Sequence, residues 1–233
     1  MFNTIFYKPL YNALVFLVDV LPGGNIGLAI VILTLVVKFA LFPLSQKSIT
    51  AQANMRKLEP ELKKIKEKYK DQQEQAKQTM ELYKKTGINP FSGCFLLLLQ
   101  LPIIFALYYV FFQGLKFDTS MMYSFVHKPA EVNMWFLGLD LAQKSILLGL
   151  LAAITQYYQL HLSVPSVPKA EPGKELTFQE EFSRNMSLQM KYIFPVMVFF
   201  IAYSISSAIA LYWIVSNLFS IGQELYVKKS VKS

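Results

Sequence analysis

The sequence predicts an all-α membrane protein: a five-transmembrane-helix bundle with an interfacial N-terminal helix and a cytoplasmic antiparallel helical hairpin. Three observations lead there. Long apolar runs recur along a chain that is 54% hydrophobic and 16% charged, where soluble domains carry about 25% charged residues. One strongly charged stretch, residues 45–89, carries an apolar seam, Leu58, Leu62, Ile65 and Tyr69, at intervals of 4, 3 and 4, the spacing of paired helices. The basic residues are unevenly placed. With five spans, residues 45–89, 163–188 and 228–233 share one side and hold 11, 3 and 3 of the 23 Lys and Arg, which makes that side cytoplasmic.

Residues 1–22 place Ile5, Phe6, Leu10, Leu14, Leu17, Val18 and Leu21 near helical spacing, interrupted by Pro9 and Asp19. No basic start or small-residue cleavage site marks a signal peptide. The expectation is an amphipathic helix lying in the membrane interface, with a short anchor as the alternative. Pro22, Gly23, Gly24 and Asn25 form a turn. Residues 25–44 are the first span, apolar apart from Thr34 and Lys38. A helix of that length rises roughly 30 Å, a bilayer core. A cation there costs about 2.5–3.5 kcal/mol and points to function. Thr34, four residues earlier, shares its face. Two readings of Lys38 stay open: an anchor whose stem snorkels to the headgroups, or a working cation facing the bundle.

Residues 45–89 read as the hairpin. Its first arm is kinked by Pro60, a turn falls at Lys70–Gln73, and Ala76, Met80 and Tyr83 continue the seam on the second arm. Its lysines form a solvated face or a docking surface for RNA or anionic headgroups. Residues 91–115 are the second span, bent at Pro102, with Gln100 needing a partner or water. Residues 116–140 form an external loop whose Met121, Met122, Phe125, Met134 and Trp135 suit an interface belt. Residues 143–162 are the third span, with Gln156 toward its end, and 163–188 a proline-containing cytoplasmic loop. Residues 192–221 are apolar for 30 residues. The serines at 204, 206 and 207, and the need to keep Lys228, Lys229 and Lys232 cytoplasmic, favour two spans, 190–206 and 208–227, before a basic tail, 228–233. The first is short for the bilayer and favours local thinning.

The last span aligns Trp213, Asn217, Ser220 and Glu224 on one face. With Thr34, Lys38, Gln100 and Gln156, four spans offer polar groups, and such groups usually face a bundle interior or hydrated cavity. The alternative for each amide is an interhelical hydrogen bond, worth about 0.6 kcal/mol. The lone Cys94 allows no internal disulfide, and His127 and His161 are far apart. No metal-ligand spacing, nucleophile–base set or phosphate-binding glycine loop is present in the sequence, so no cofactor, metal or enzymatic activity is expected.

The stretches TLVVKFALFPLSQKS, MRKLEPELKKIKEKY, NPFSGCFLLLLQLPIIFALYYVFF and LYWIVSNLFSIGQE are similar to the YidC/Oxa/Alb family of membrane-protein insertases, and the likeness runs from about residue 7 to 227. The resemblance implies a groove open to cytoplasm and lipid but closed to the outside. It places Lys38 where the family usually has arginine, and Thr34, Gln100, Gln156 and Trp213 at groove positions; Asn217 joins them from its stripe. It implies insertion of nascent membrane proteins without nucleotide hydrolysis in a bacterial inner membrane. The hairpin, through Met55, Arg56, Lys57 and Met80, would meet the nascent chain. Lipids, the ribosome, the Sec translocon and signal recognition machinery are the further partners it implies. Four departures stand out. Lysine replaces arginine, Ser206-Ser207-Ala208 replaces a Pro-Ser-Gly-type turn, the 163–188 loop is long, and the start carries no extra span, large periplasmic domain or lipidation signal. Two rival functions remain, a small-anion transporter and a scaffold for membrane-protein assembly.

Overall fold

The computed structural model describes residues 2–69, 71–87, 101–106, 108–110, 119–164 and 178–232. They are mostly helical and divide into two compact units, Met1–Ala40 with Leu101–Gly222, and Leu41–Gln100 with Gln223–Ser233. Gln100 and Cys94 lie outside the described residues.

In the first unit a π-helical turn, Asn3–Tyr7, leads into α1, Lys8–Val20. Its buried face is Tyr7, Tyr11, Leu14, Val15 and Val18, while Ile5 is 60% exposed. Leu14 and Val18 of the expected set lie on the packed side, joined by Tyr7 and Tyr11, which that set left out. The turn Pro22–Gly24 follows, with Gly23 and Gly24 at φ 66° and 58°. Gly24 is required twice over: its φ suits glycine, and a Cβ would lie 2.1 Å from the Glu131 carbonyl oxygen. Asn25 caps α2, Ile26–Ala40, by accepting from the Leu28 amide at 2.9 Å, which satisfies a donor the helix start leaves orphaned. Segment 25–44 is not one continuous helix: α2 stops at Ala40, and Pro43 lies in the first turn of the next helix. A proline removes one backbone donor and crowds the carbonyl four residues earlier, so a helix restarts there more readily than it continues.

Residues 101–106 and 108–110 are helical, with Ile103, Ala106 and Val110 buried on one face and Tyr109 edge-on to Tyr7 at 6.3 Å. The loop after them is built rather than loose. β1, Trp135–Phe136, pairs antiparallel with β2, Leu139–Asp140. Leu137 and Gly138, both at positive φ, make the tight turn. This small β pair departs from the all-α expectation. The loop is tied to α1 by Asn12, which is 3% exposed. Its amide nitrogen donates to the Lys8 and Met121 carbonyls at 2.7 and 3.0 Å, and its oxygen accepts from the Tyr123 amide at 2.6 Å.

Ser145 caps α6, Ile146–Ser163, which packs along α8, Phe194–Ile205. Gly149 allows the closeness, because a Cβ there would meet the Phe199 ring at 3.3 Å. α8 continues an earlier helix, α7, Phe178–Leu188, through a π-helical turn, Gln189–Ile193. Its apolar part, Arg184–Ile205, has 22 residues, the one uninterrupted helix among the described residues long and apolar enough to cross a bilayer alone. Helical backbone thus extends back from the expected span 190–206 through polar residues to Phe178. The helix breaks at Ser206, extended at φ −165° and ψ 160°. α9, Ser207–Lys232, follows. The Ser207 hydroxyl and amide both donate to the Gln143 carbonyl, at 2.6 and 3.0 Å, and the Ala208 amide to the Leu141 carbonyl at 3.2 Å. These bonds satisfy the start of α9, where no glycine or proline imposes a turn.

The second unit holds α3, Phe42–Lys57, α4, Glu59–Lys68, and α5, Gln72–Thr86. The first arm breaks at Leu58, just ahead of Pro60, which sits in the first turn of α4 where a missing amide costs little. α4 and α5 pack together across Tyr69–Asp71. Asp71 caps α5 and Gly87 ends it at φ 68°. Leu58 is buried and Leu62, Ile65 and Tyr69 half-buried, but on α5 the covered positions include Thr79, Leu82 and Tyr83, with Ala76 and Met80 facing out. The seam there is rotated by one residue from the expected one. The side chain of Gln223 donates to the Phe42 carbonyl at 3.1 Å and to Ser45 Oγ at 2.6 Å.

Candidate functional site

Two polar contacts of the first unit, from Lys38 and from Thr155, meet on α9. Lys38, in the last turn of α2, is half-buried, and its ammonium donates to Ser220 Oγ at 3.1 Å. The Ser220 hydroxyl spends its own proton on the Ser216 carbonyl at 2.9 Å. Beside this pair Phe39 and Phe219 meet edge-on at 5.0 Å. Among the described residues no carboxylate pairs with Lys38. An ammonium has three donors, and this bond engages one, with a neutral acceptor.

One turn earlier on α9, Asn217 is 5% exposed, and its amide nitrogen donates to Thr155 Oγ1 on α6 at 3.2 Å. The Thr155 hydroxyl is in turn fixed by the Leu151 and Ala152 carbonyls at 2.9 and 3.0 Å. Asn217 and Ser220, three residues apart, therefore receive α6 and α2 on neighbouring parts of one helix surface.

The other expected residues are placed differently. The Thr34 hydroxyl is buried and bonds back to the Ile30 carbonyl at 2.6 Å. Gln156 is buried and donates to Gln159 Oε1 at 3.1 Å, which passes a bond to Ser163 Oγ at 3.0 Å, so this ladder runs along α6 instead of across the bundle. Trp213 is buried. Thr155 is the residue the sequence reading missed. Its adjacency to Gln156 was the available signal, but which of two neighbours faces α9 depends on helix rotation. In the second unit Met55 and Arg56 are half-buried, Lys57 is exposed and Met80 is 48% exposed. Partial burial holds the Tyr83 phenol above its ordinary pKa.

Apolar helices, one of them long enough to cross a bilayer, with polar side chains turned onto α9, are the make-up of a helical membrane protein. The chain belongs to the 60Kd inner membrane protein family, whose model matches residues 17–233. It is 36% identical over 209 residues to a protein of Clostridium tetani named membrane protein insertase YidC, covering 89% of this chain and 84% of that one. It is 35% identical over 233 residues to a protein of the same name from Wolinella succinogenes, covering all of this chain but 38% of that relative. A crystal structure described as an active YidC insertase with the first transmembrane domain resolved superposes with a TM-score of 0.55 at 25% identity, over 95% of this chain and 45% of that one.

Proposed function

We propose that this chain inserts nascent membrane proteins into a bacterial inner membrane, through a hydrophilic groove open to cytoplasm and lipid, without hydrolysing nucleotide. The five spans, with hairpin and basic tail cytoplasmic, are part of this reading. Thr34, Lys38, Gln100, Gln156, Trp213 and Asn217 line the groove, and Met55, Arg56, Lys57 and Met80 form the receiving surface of the hairpin. Membrane-protein substrates and lipids are the partners. Ribosome, Sec translocon and signal recognition machinery are candidates for delivery. The names of the relatives support the activity. The observation that carries the mechanism is Lys38, bonded to a neutral hydroxyl and meeting no carboxylate among the described residues.

The magnitudes assign its role. A translocated acidic residue costs about 2.5–3.5 kcal/mol at the centre of a membrane helix. The substrate's apolar helix gains about 0.8 kcal/mol for each buried methylene. Lipid burial of one span outweighs one carboxylate many times over, so it drives the net step. Lys38 acts on the barrier, attracting the carboxylate partway in before the apolar segment slides into lipid. The test is initial-rate insertion of a single-span substrate with an acidic translocated end into liposomes holding the reconstituted protein. Lys38→Ala should slow insertion about fivefold or more, the worth of one charge pair at contact in a wet site, and Lys38→Arg should retain it. Equal initial rates for Lys38→Ala and wild type would refute the charge-attraction step.

A further inference from the structure

We infer that Ser220 is a positioning residue for Lys38, holding the ammonium toward α9 and so setting the preference for acidic over neutral substrate ends; this rests on the insertase reading above. A lysine six residues before the end of an apolar segment has an obvious competing position, because its flexible stem can snorkel toward the headgroups. Something must hold the charge inward if it is to meet a substrate. In the structure that group is the Ser220 hydroxyl, 3.1 Å from Lys38 Nζ. The hydroxyl is itself oriented. Its proton is committed to the Ser216 carbonyl at 2.9 Å, so its lone pairs point away from its own helix and it serves Lys38 purely as an acceptor.

The chemistry of the pair suits an intermediate holder. A carboxylate in that place would hold the ammonium harder, but it would also neutralise the charge the substrate is meant to find. A neutral oxygen fixes direction and leaves the charge and two N–H donors available. The edge-on Phe39–Phe219 contact at 5.0 Å lies between the residues adjacent to this pair and fixes the approach of the two helices next to the bond. Lysine makes the holder matter more than arginine would: an ammonium on a four-carbon stem is a point charge, without the planar fork that orients a guanidinium.

The experiment measures initial insertion rates for two otherwise identical single-span substrates, one with an acidic and one with a neutral translocated end, in proteoliposomes of wild type, Ser220→Ala, Ser220→Thr and Lys38→Ala. Ser220→Ala removes only the hydroxyl, and the Ser216 carbonyl keeps its place in the helix ladder, so the fold is expected to tolerate it. The acidic-to-neutral rate ratio should fall on the order of fivefold in Ser220→Ala, the net worth of a typical hydrogen bond. The neutral rate should stay unchanged, and Ser220→Thr should restore the ratio. A Ser220→Ala protein that keeps the wild-type ratio while Lys38→Ala loses it overturns the positioning role and leaves the insertase reading standing. Equal slowing of both substrates also overturns it, by showing a structural role. A ratio unaffected by Lys38→Ala refutes the charge step beneath both.

Discussion

Two polar residues of the first unit, Asn12 and Lys38, face opposite situations. Asn12 is buried and makes three bonds, all to main-chain groups, two of them more than a hundred residues away in sequence. Lys38 carries a full charge, is half-buried, and makes one bond to a neutral hydroxyl. A buried polar group with its bonds filled can only hold structure, because nothing on it remains to offer a ligand. A charge left partly unmet costs stability and is worth keeping where a ligand is to complete it. The loop end of this unit holds the first kind at Asn12 and Ser207, and half-buried Asn25 and exposed Asn133 also spend side-chain bonds on the main chain. The α2–α9 contact is of the second kind.

That contrast predicts stability effects in the loop region and rate effects at Lys38. The largest stability loss should come from Gly24→Ala. It forces an L-residue to φ 58° and drives a Cβ into the Glu131 carbonyl, for about 3 kcal/mol in detergent unfolding. Asn12→Leu should come next, at about 2–3 kcal/mol, because it strands the Met121 carbonyl and Tyr123 amide; proteolysis of the 119–140 loop should rise with it. Ser207→Ala should cost about 1 kcal/mol, since the Ser207 amide still bonds to the Gln143 carbonyl. Lys38→Met should be smallest, within about 0.5 kcal/mol of wild type or slightly stabilising, because an apolar chain of similar length replaces a partly desolvated charge. A loss of 2 kcal/mol or more in Lys38→Met would place Lys38 with the structural group and erase the contrast.

What the sequence made legible was mostly local chemistry. The turn at Pro22–Asn25, the cation in segment 25–44 and the polar stripe through Asn217 and Ser220 follow from short spacings and residue type. The helix break at Ser206 falls inside the serine cluster, although it is secured by carbonyls of Leu141 and Gln143, far off in sequence. The rest depended on distance or rotation. Asn12 gives no sign of its partners at 121 and 123. A one-residue rotation of α5 turned Met80 and Ala76 outward. The length of the helix through Arg184–Ile205 was hidden by polar residues that interrupt hydropathy but not backbone hydrogen bonding. Gln156 and Thr34 were legible as polar groups in apolar segments, but that each side chain bonds within its own helix was not.

The most direct measurement is a charge swap in liposomes without a membrane potential. Lys38→Glu protein should insert a substrate with an acidic translocated end more slowly than wild type does. The same substrate with that end changed to lysine should go faster with Lys38→Glu than with wild type. Rates that fall for both substrates alike, or do not respond to the swap, would contradict an attractive role for the charge at Lys38.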